Sequence, residues 1–149
     1  MLGGANSVDV GSRMAGSSWW PEESITEDDL DALGNEPVDV LLGHDSPLHV
    51  PTLDEQLTRT DHWWPENGRR YSAAGRAMFN RGYLQVRPQL YLGGHYHCHI
   101  DQHVDQRRDD GTLFDSRVVV LHMNGSDVAG SPAILNVQSL ALQFLTRDD

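Results

Sequence analysis

Two short apolar runs in this chain each end in glycine followed by histidine, and that repeated junction constrains the fold more than any other feature. Val38-Asp39-Val40-Leu41-Leu42 stops at Gly43-His44, and Gln89-Leu90-Tyr91-Leu92 stops at Gly93-Gly94-His95. A brief apolar run bounded by turn formers reads as a strand buried within a sheet. In open α/β sheets, ligands bind in the crevice beyond the carboxyl ends of the strands. Gly43 and Gly94 permit a sharp turn there, so His44 and His95 are expected at that rim. His97 follows His95 by two residues, and an extended backbone would put both imidazoles on one face. Three neutral imidazoles converging there would suit Zn, Fe or Mn, completed by carboxylates. The competing account is a chance polar run, His95-x-His97-x-His99, pointing outward from a surface strand.

The elements around these junctions predict a mixed α/β fold, with helices early and antiparallel strands late. Thr26 precedes Glu27, Asp28 and Asp29, acids that favour a helix N-terminus, while Leu30 and Leu33 give an apolar side and Gly34-Asn35 a stop. A short helix is expected over Leu53–Arg59, and a longer one from a Ser72 N-cap towards Leu84. Asp105–Gly111 reads as a solvated turn between strands and Arg117–Met123 as a strand. Asn124-Gly125 reads as a turn, and Ala133–Leu145 as one bent strand or two.

With 149 residues, one domain spanning 1–149 is expected. The chain has 22 acidic residues against 11 basic ones, all Arg, for a formal net charge of −11. That excess makes nucleic acid or an anionic membrane an unfavourable partner. No apolar stretch has the length of a membrane span. The single cysteine, Cys98, excludes an internal disulfide and suits a reducing, cytoplasmic setting. The absence of a Gly-x-Ser-x-Gly elbow, a phosphate-binding loop and a Cys-x-x-Cys pair counts against serine-hydrolase, nucleotide-loop and redox chemistry.

Gly43-His44-Asp45-Ser46-Pro47 and Gly94-His95-Tyr96-His97 resemble the last two metal-binding motifs of the calcineurin-like metallophosphoesterases. Gly3-Gly4-Ala5-Asn6-Ser7-Val8-Asp9 and Ser18-Trp19-Trp20-Pro21-Glu22-Glu23 are similar to a bacterial and phage-type branch of that family. The resemblance implies a two-sheet sandwich with helices outside (αββα) and hydrolysis of phosphoesters at two divalent ions, Mn, Fe or Zn. Such a pair, roughly 3.5–4 Å apart, clamps the phosphate and supplies hydroxide at neutral pH. On this likeness His44 and His95 would ligate the second metal and His97 the first, each ring oriented through its other nitrogen. Asp45 is one candidate for that orienting carboxylate.

The family's earlier motifs, Asp-x-His, Gly-Asp-x-x-Asp and Gly-Asn-His-Asp/Glu, have no counterpart in place. Gly34-Asn35-Glu36 lacks the histidine, and Asp101-Gln102-His103 comes after the final motif. The expectation is therefore the C-terminal half of such an enzyme, weak in metal binding and turnover by itself. It would act on a phosphoester substrate with an N-terminal half, or self-associate through exposed sheet. Two alternatives are a non-catalytic remnant or split-enzyme chain, and a small cupin-like metal-binding barrel, which His95-x-His97 with Asp101 resembles.

Other residues carry less. Arg13 is a candidate for binding substrate phosphate through its fork. Trp19-Trp20-Pro21-Glu22 and Trp63-Trp64-Pro65-Glu66 read first as loop anchors and second as pocket walls. Arg69, Arg70 and Arg76 read as offsets to surface acids. His49, His62 and His122 have no motif context, and His99 and His103 either support the site or point outward.

Overall fold

The computed structural model describes residues 1–122 and 131–145. It is a mixed α/β fold with three α-helices, a four-stranded mixed sheet and a small two-stranded antiparallel sheet among the described residues. Helix α1 (Glu27–Leu33) begins at Thr26, whose hydroxyl accepts from the Asp29 amide while Asp29 returns to the Thr26 amide. Gly34, with φ of 78°, ends it. Strand β1 (Val40–Leu42) leads to α2 (Pro51–Thr60), α3 (Glu66–Val86), β2 (Leu90–Gly93), β3 (Ile100–Arg107) and β4 (Leu113–Val120). Strands β5 (Ala133–Leu135) and β6 (Leu142–Phe144) pair with each other, so the Ala133–Leu145 region is two strands. The Asn124-Gly125 turn lies outside the described residues.

The larger sheet runs in the order β1-β2-β4-β3. Strand β2 is parallel to β1 and to β4, and β3 is antiparallel to β4. Among the described residues its outer strands, β1 and β3, do not pair with each other, so it is an open sheet and not the closed barrel that a cupin-like protein needs. Phe79, Tyr83 and Val86 of α3 join Leu41, Tyr91, Ile100, Val104, Val118 and Val120 of the sheet in one buried cluster. The Phe79 and Tyr91 rings meet edge-on at 5.4 Å, and those of Tyr83 and Tyr91 at 6.1 Å. No helix among the described residues is long and apolar enough to cross a membrane.

Three expectations shift. Strand β1 lies at the sheet edge and buries only Leu41, leaving Leu42 45% exposed. Helix α3 starts six residues before Ser72: Pro65, with φ already at −58°, sets the entry, and Glu66 supplies the first-turn acid. Asp105–Arg107 extends β3, because Ile100, Val104 and Gln106 alternate inward while charged neighbours face out, and the turn is confined to 108–111.

Helix α3 carries glycine at 68, 75 and 82, seven residues apart and so on one face. An added Cβ would lie 2.0 Å from the Val8 carbonyl at Gly68, 2.6 Å from Asn6 at Gly75 and 2.6 Å from Leu2 at Gly82. The stripe is thus a groove that admits residues 2–8 against the helix backbone. Leu2 also pairs with β1 through its amide to Leu42 at 2.9 Å. A free glycine inside a helix costs up to about 1 kcal/mol relative to alanine, so Gly→Ala normally stabilises. Here we expect the opposite sign: Gly75→Ala should lower stability by about 1–3 kcal/mol, measured by urea unfolding.

Candidate metal centre

The two strand–glycine–histidine junctions lie side by side because β1 and β2 are parallel neighbours. The Gly43 amide donates to Leu92 at 3.0 Å and the Gly94 amide to His44 at 3.4 Å, joining the loops just beyond the strand ends. This brings the His44 and His95 rings to 5.1 Å between centroids, edge to face. His97 lines the same cleft, a cavity of about 1100 Å³. His95 is half-buried, whereas His44 and His97 are exposed.

The turn that delivers these rings differs from the one expected. Residues 95–98 are bent, not extended, and the left-handed residues are histidines: His95 has φ of 69° and His97 of 53°. Such conformations cost a non-glycine residue on the order of 1 kcal/mol each and persist only where surrounding contacts enforce them. Gly43 has another use, since a Cβ there would fall 2.5 Å from the Phe79 ring.

The enforcing contacts centre on Asp45, which is 1% exposed. Its carboxylate accepts from the Ser46 amide at 2.8 Å and from the Tyr96 hydroxyl, and its carbonyl accepts from the Tyr91 hydroxyl. Asp45 therefore does not orient an imidazole; it locks the His44 loop to the residue between His95 and His97. Among the described residues, none of the three rings is hydrogen-bonded to a carboxylate or carbonyl. Buried Arg76 donates to the carbonyls of Ser46 and Pro47, pairs with Asp54 at 2.8 Å and lies over the Tyr96 ring at 5.8 Å. It is a strut inside the fold, not a surface offset. Arg69 and Arg70 do pair with exposed acids, Asp61 and Glu66.

Burial lowers the pKa of His95 to about 4, with a further push from His44 and His97, and burial likewise lowers that of His44. The electron pairs of these two rings are thus free at neutral pH for a metal to use. Burial raises Asp45 to about 6 against the pull of Tyr96, Ser46 and Arg76.

Arg13 lines the cleft, but its Nε is paired with Asp9 at 2.6 Å and its Nη2 donates to Ser7. Asp9 and Glu23 line the cleft too and act favourably on protonated His95 and His44 respectively. Both acids occur within longer sequence segments and neither stands out there; Asp9 follows the stretch docked on α3, and the Glu23 backbone lies against Gly4 of that stretch. His103 pairs with Asp115 and Asp101 with Arg117 on the outer face of β3, and His99 packs on Phe144, all away from the cleft. Cys98 is half-buried against the core. Trp19 is a loop anchor, donating to the Tyr71 hydroxyl at 3.0 Å, whereas Trp63 and Trp64 line the cleft.

Imidazole nitrogens are donors that suit Zn, Fe or Mn, but among the described residues no three His, Cys, Asp or Glu side chains are grouped so as to hold a metal ion. The ring contact present is that of His44 with His95, with His97 elsewhere on the cleft wall. Compared with protein-family models, curated proteins and solved structures, the chain matches none.

Two outcomes follow from this geometry. Tyr96→Phe leaves a buried carboxylate short of a donor and should cost about 1–3 kcal/mol in chemical unfolding. The folded protein binds fewer protons at His95 than the unfolded chain between pH 6.5 and about 4. Acidification across that window should therefore remove stability, by at most about 3 kcal/mol, with no further His95 loss below it. An NMR titration should place the His95 midpoint near 4, and His95→Gln should flatten this part of the stability profile.

Proposed function

We propose that this chain contributes the imidazole portion of a calcineurin-like metallophosphoesterase, hydrolysing phosphoric esters with divalent metal. The supporting observation is the meeting of His44 with His95 beyond the ends of two neighbouring parallel strands, with His97 lining the same cleft. In this reading the mixed sheet and the β5–β6 pair belong to a two-sheet αββα sandwich, and His44, His95 and His97 hold Mn, Fe or Zn. A metal bound there would supply hydroxide at neutral pH and offset charge on the phosphoryl group.

The remaining chemistry belongs to the chain. Neutral His44 and His95 rings keep their electron pairs available, the Asp45–Tyr96 contact holds the two loops in register, and Arg13 offers a guanidinium at the cleft wall for a phosphate oxygen. The bridging aspartate and asparagine ligands of the family pattern are not supplied by these motifs. Efficient turnover consequently requires a partner segment bearing them, either as the N-terminal half or as a separate chain.

The test combines Mn titration by calorimetry with hydrolysis of p-nitrophenyl phosphate and its bis-ester. We expect weak Mn binding that His95→Ala abolishes, little turnover alone, and turnover on adding a segment with the Asp-x-His and Gly-Asn-His motifs. Wild-type protein that binds no Mn, or binding unaffected by His95→Ala, would overturn the reading.

A further inference from the structure

The cleft holds a second chemical feature that metal binding leaves unused. Trp63 and Trp64 line it from the α2–α3 junction, with 67% and 39% of their surfaces exposed. Neither indole belongs to the buried core cluster. Trp63 ends a single 3-10 turn, Asp61–Trp63, and the His62 ring meets it edge-on at 5.7 Å. The Trp64 amide closes that turn on the Asp61 carbonyl at 3.2 Å, so both aromatics are carried on a fixed backbone. Polar residues close in sequence, Thr60, Asp61 and Arg69, line the same cleft. The Arg69 Nη1 donates to Asp61 at 2.6 Å while both side chains stay substantially exposed.

Two exposed indoles in a cleft that a guanidinium, a carboxylate and a hydroxyl also line suit a flat heterocycle better than an acyl chain. A ring gains from stacking on indole, and its edge nitrogens and carbonyls find hydrogen-bond partners at the rim. An acyl chain would desolvate that polar rim without replacing its bonds. The cavity's volume of about 1100 Å³ accommodates a nucleotide-sized ligand together with solvent.

We propose that Trp63 and Trp64 form a subsite for the aromatic moiety of the ester, so that the ligand class is a mononucleotide or another aryl phosphate. This rests on the phosphoesterase reading only for the fate of the phosphate; ring binding is measurable without turnover. Long nucleic acid is disfavoured by the chain's net charge of −11.

The experiment follows tryptophan fluorescence and calorimetric affinity for adenosine 5′-monophosphate, phenyl phosphate and ribose 5-phosphate, with Mn present. Adenosine 5′-monophosphate should quench the emission and bind roughly tenfold more tightly than ribose 5-phosphate. A similar gain for phenyl phosphate identifies a general aryl site; a gain confined to the adenine compound identifies a nucleotide site. Trp63→Ala with Trp64→Ala should erase the gain and leave ribose 5-phosphate affinity unchanged, whereas Trp63→Phe should retain most of it. Trp20→Phe, outside the cleft, should change nothing. Equal affinity for all three ligands, or a gain that survives the double alanine variant, overturns the subsite. Ring-dependent binding without metal-dependent hydrolysis in the reconstituted protein upholds the subsite and removes the phosphoesterase reading instead.

Discussion

The geometry of the histidine loops depends on one buried carboxylate. Asp45 receives Tyr96 and the Ser46 amide on its side chain and Tyr91 on its carbonyl. One residue therefore fastens the end of β1 to the strand and loop of β2. Removing it would free two left-handed histidines, because their backbone geometry is unfavourable unless something holds it. Burying a charge is costly in itself, and burial does raise the Asp45 pKa. Two donors to the carboxylate, the Tyr96 hydroxyl and the Ser46 amide, and the charge of Arg76 offset that cost, in keeping with the rule that buried polar groups persist only when satisfied.

A second layer surrounds that carboxylate. Arg76 and Asn80 of α3 bind the backbone at Ser46, Pro47 and Leu48, and Gln106 of β3 adds a bond to Leu48. The loop following His44 is thereby gripped by a helix and by the sheet at once. Among the described residues, buried Asp45, Ser46, Arg76, Asn80 and Gln106 gather around the loop after His44, while the aromatic and aliphatic core lies between α3 and the sheet. The division places rigidity from packing behind the site and directional bonding beneath it.

Much of this was legible in the sequence, because it rests on local rules. Thr26 with its following acids, Gly34, and the two apolar runs before Gly-His mark α1, β1 and β2 through capping and periodicity. The pairing of His44 with His95 was legible too, since parallel strands place their ends together. What escaped were arrangements set by distant contacts. The bend at His95–Cys98 is enforced by Asp45, fifty-one residues from Tyr96 in sequence, and an alternating His-x-His pattern suggests extension instead. The early start of α3 was hidden by Gly68, a residue that lowers helix propensity yet is required where Val8 crosses. Asp9 reaches the cleft through the path of the N-terminal segment along that helix, and Glu23 lies beside Gly4 of that segment.

That path has a consequence for how disturbances travel. Helix α3 is about 30 Å long by its 21 residues, and it carries four attachments along its length. The indoles stand at its entry, residues 2–8 rest in its glycine groove, Arg76 grips the histidine loop, and Gln85 binds the carbonyls of Leu30 and Gly34. It behaves as a beam with several fixtures. A small rotation about its axis would move the aromatic subsite, the Asp9–Arg13 pair and the strut under His44 in concert. Bulk added at Gly82, at the far end from the indoles, should therefore be felt in the cleft without any contact there.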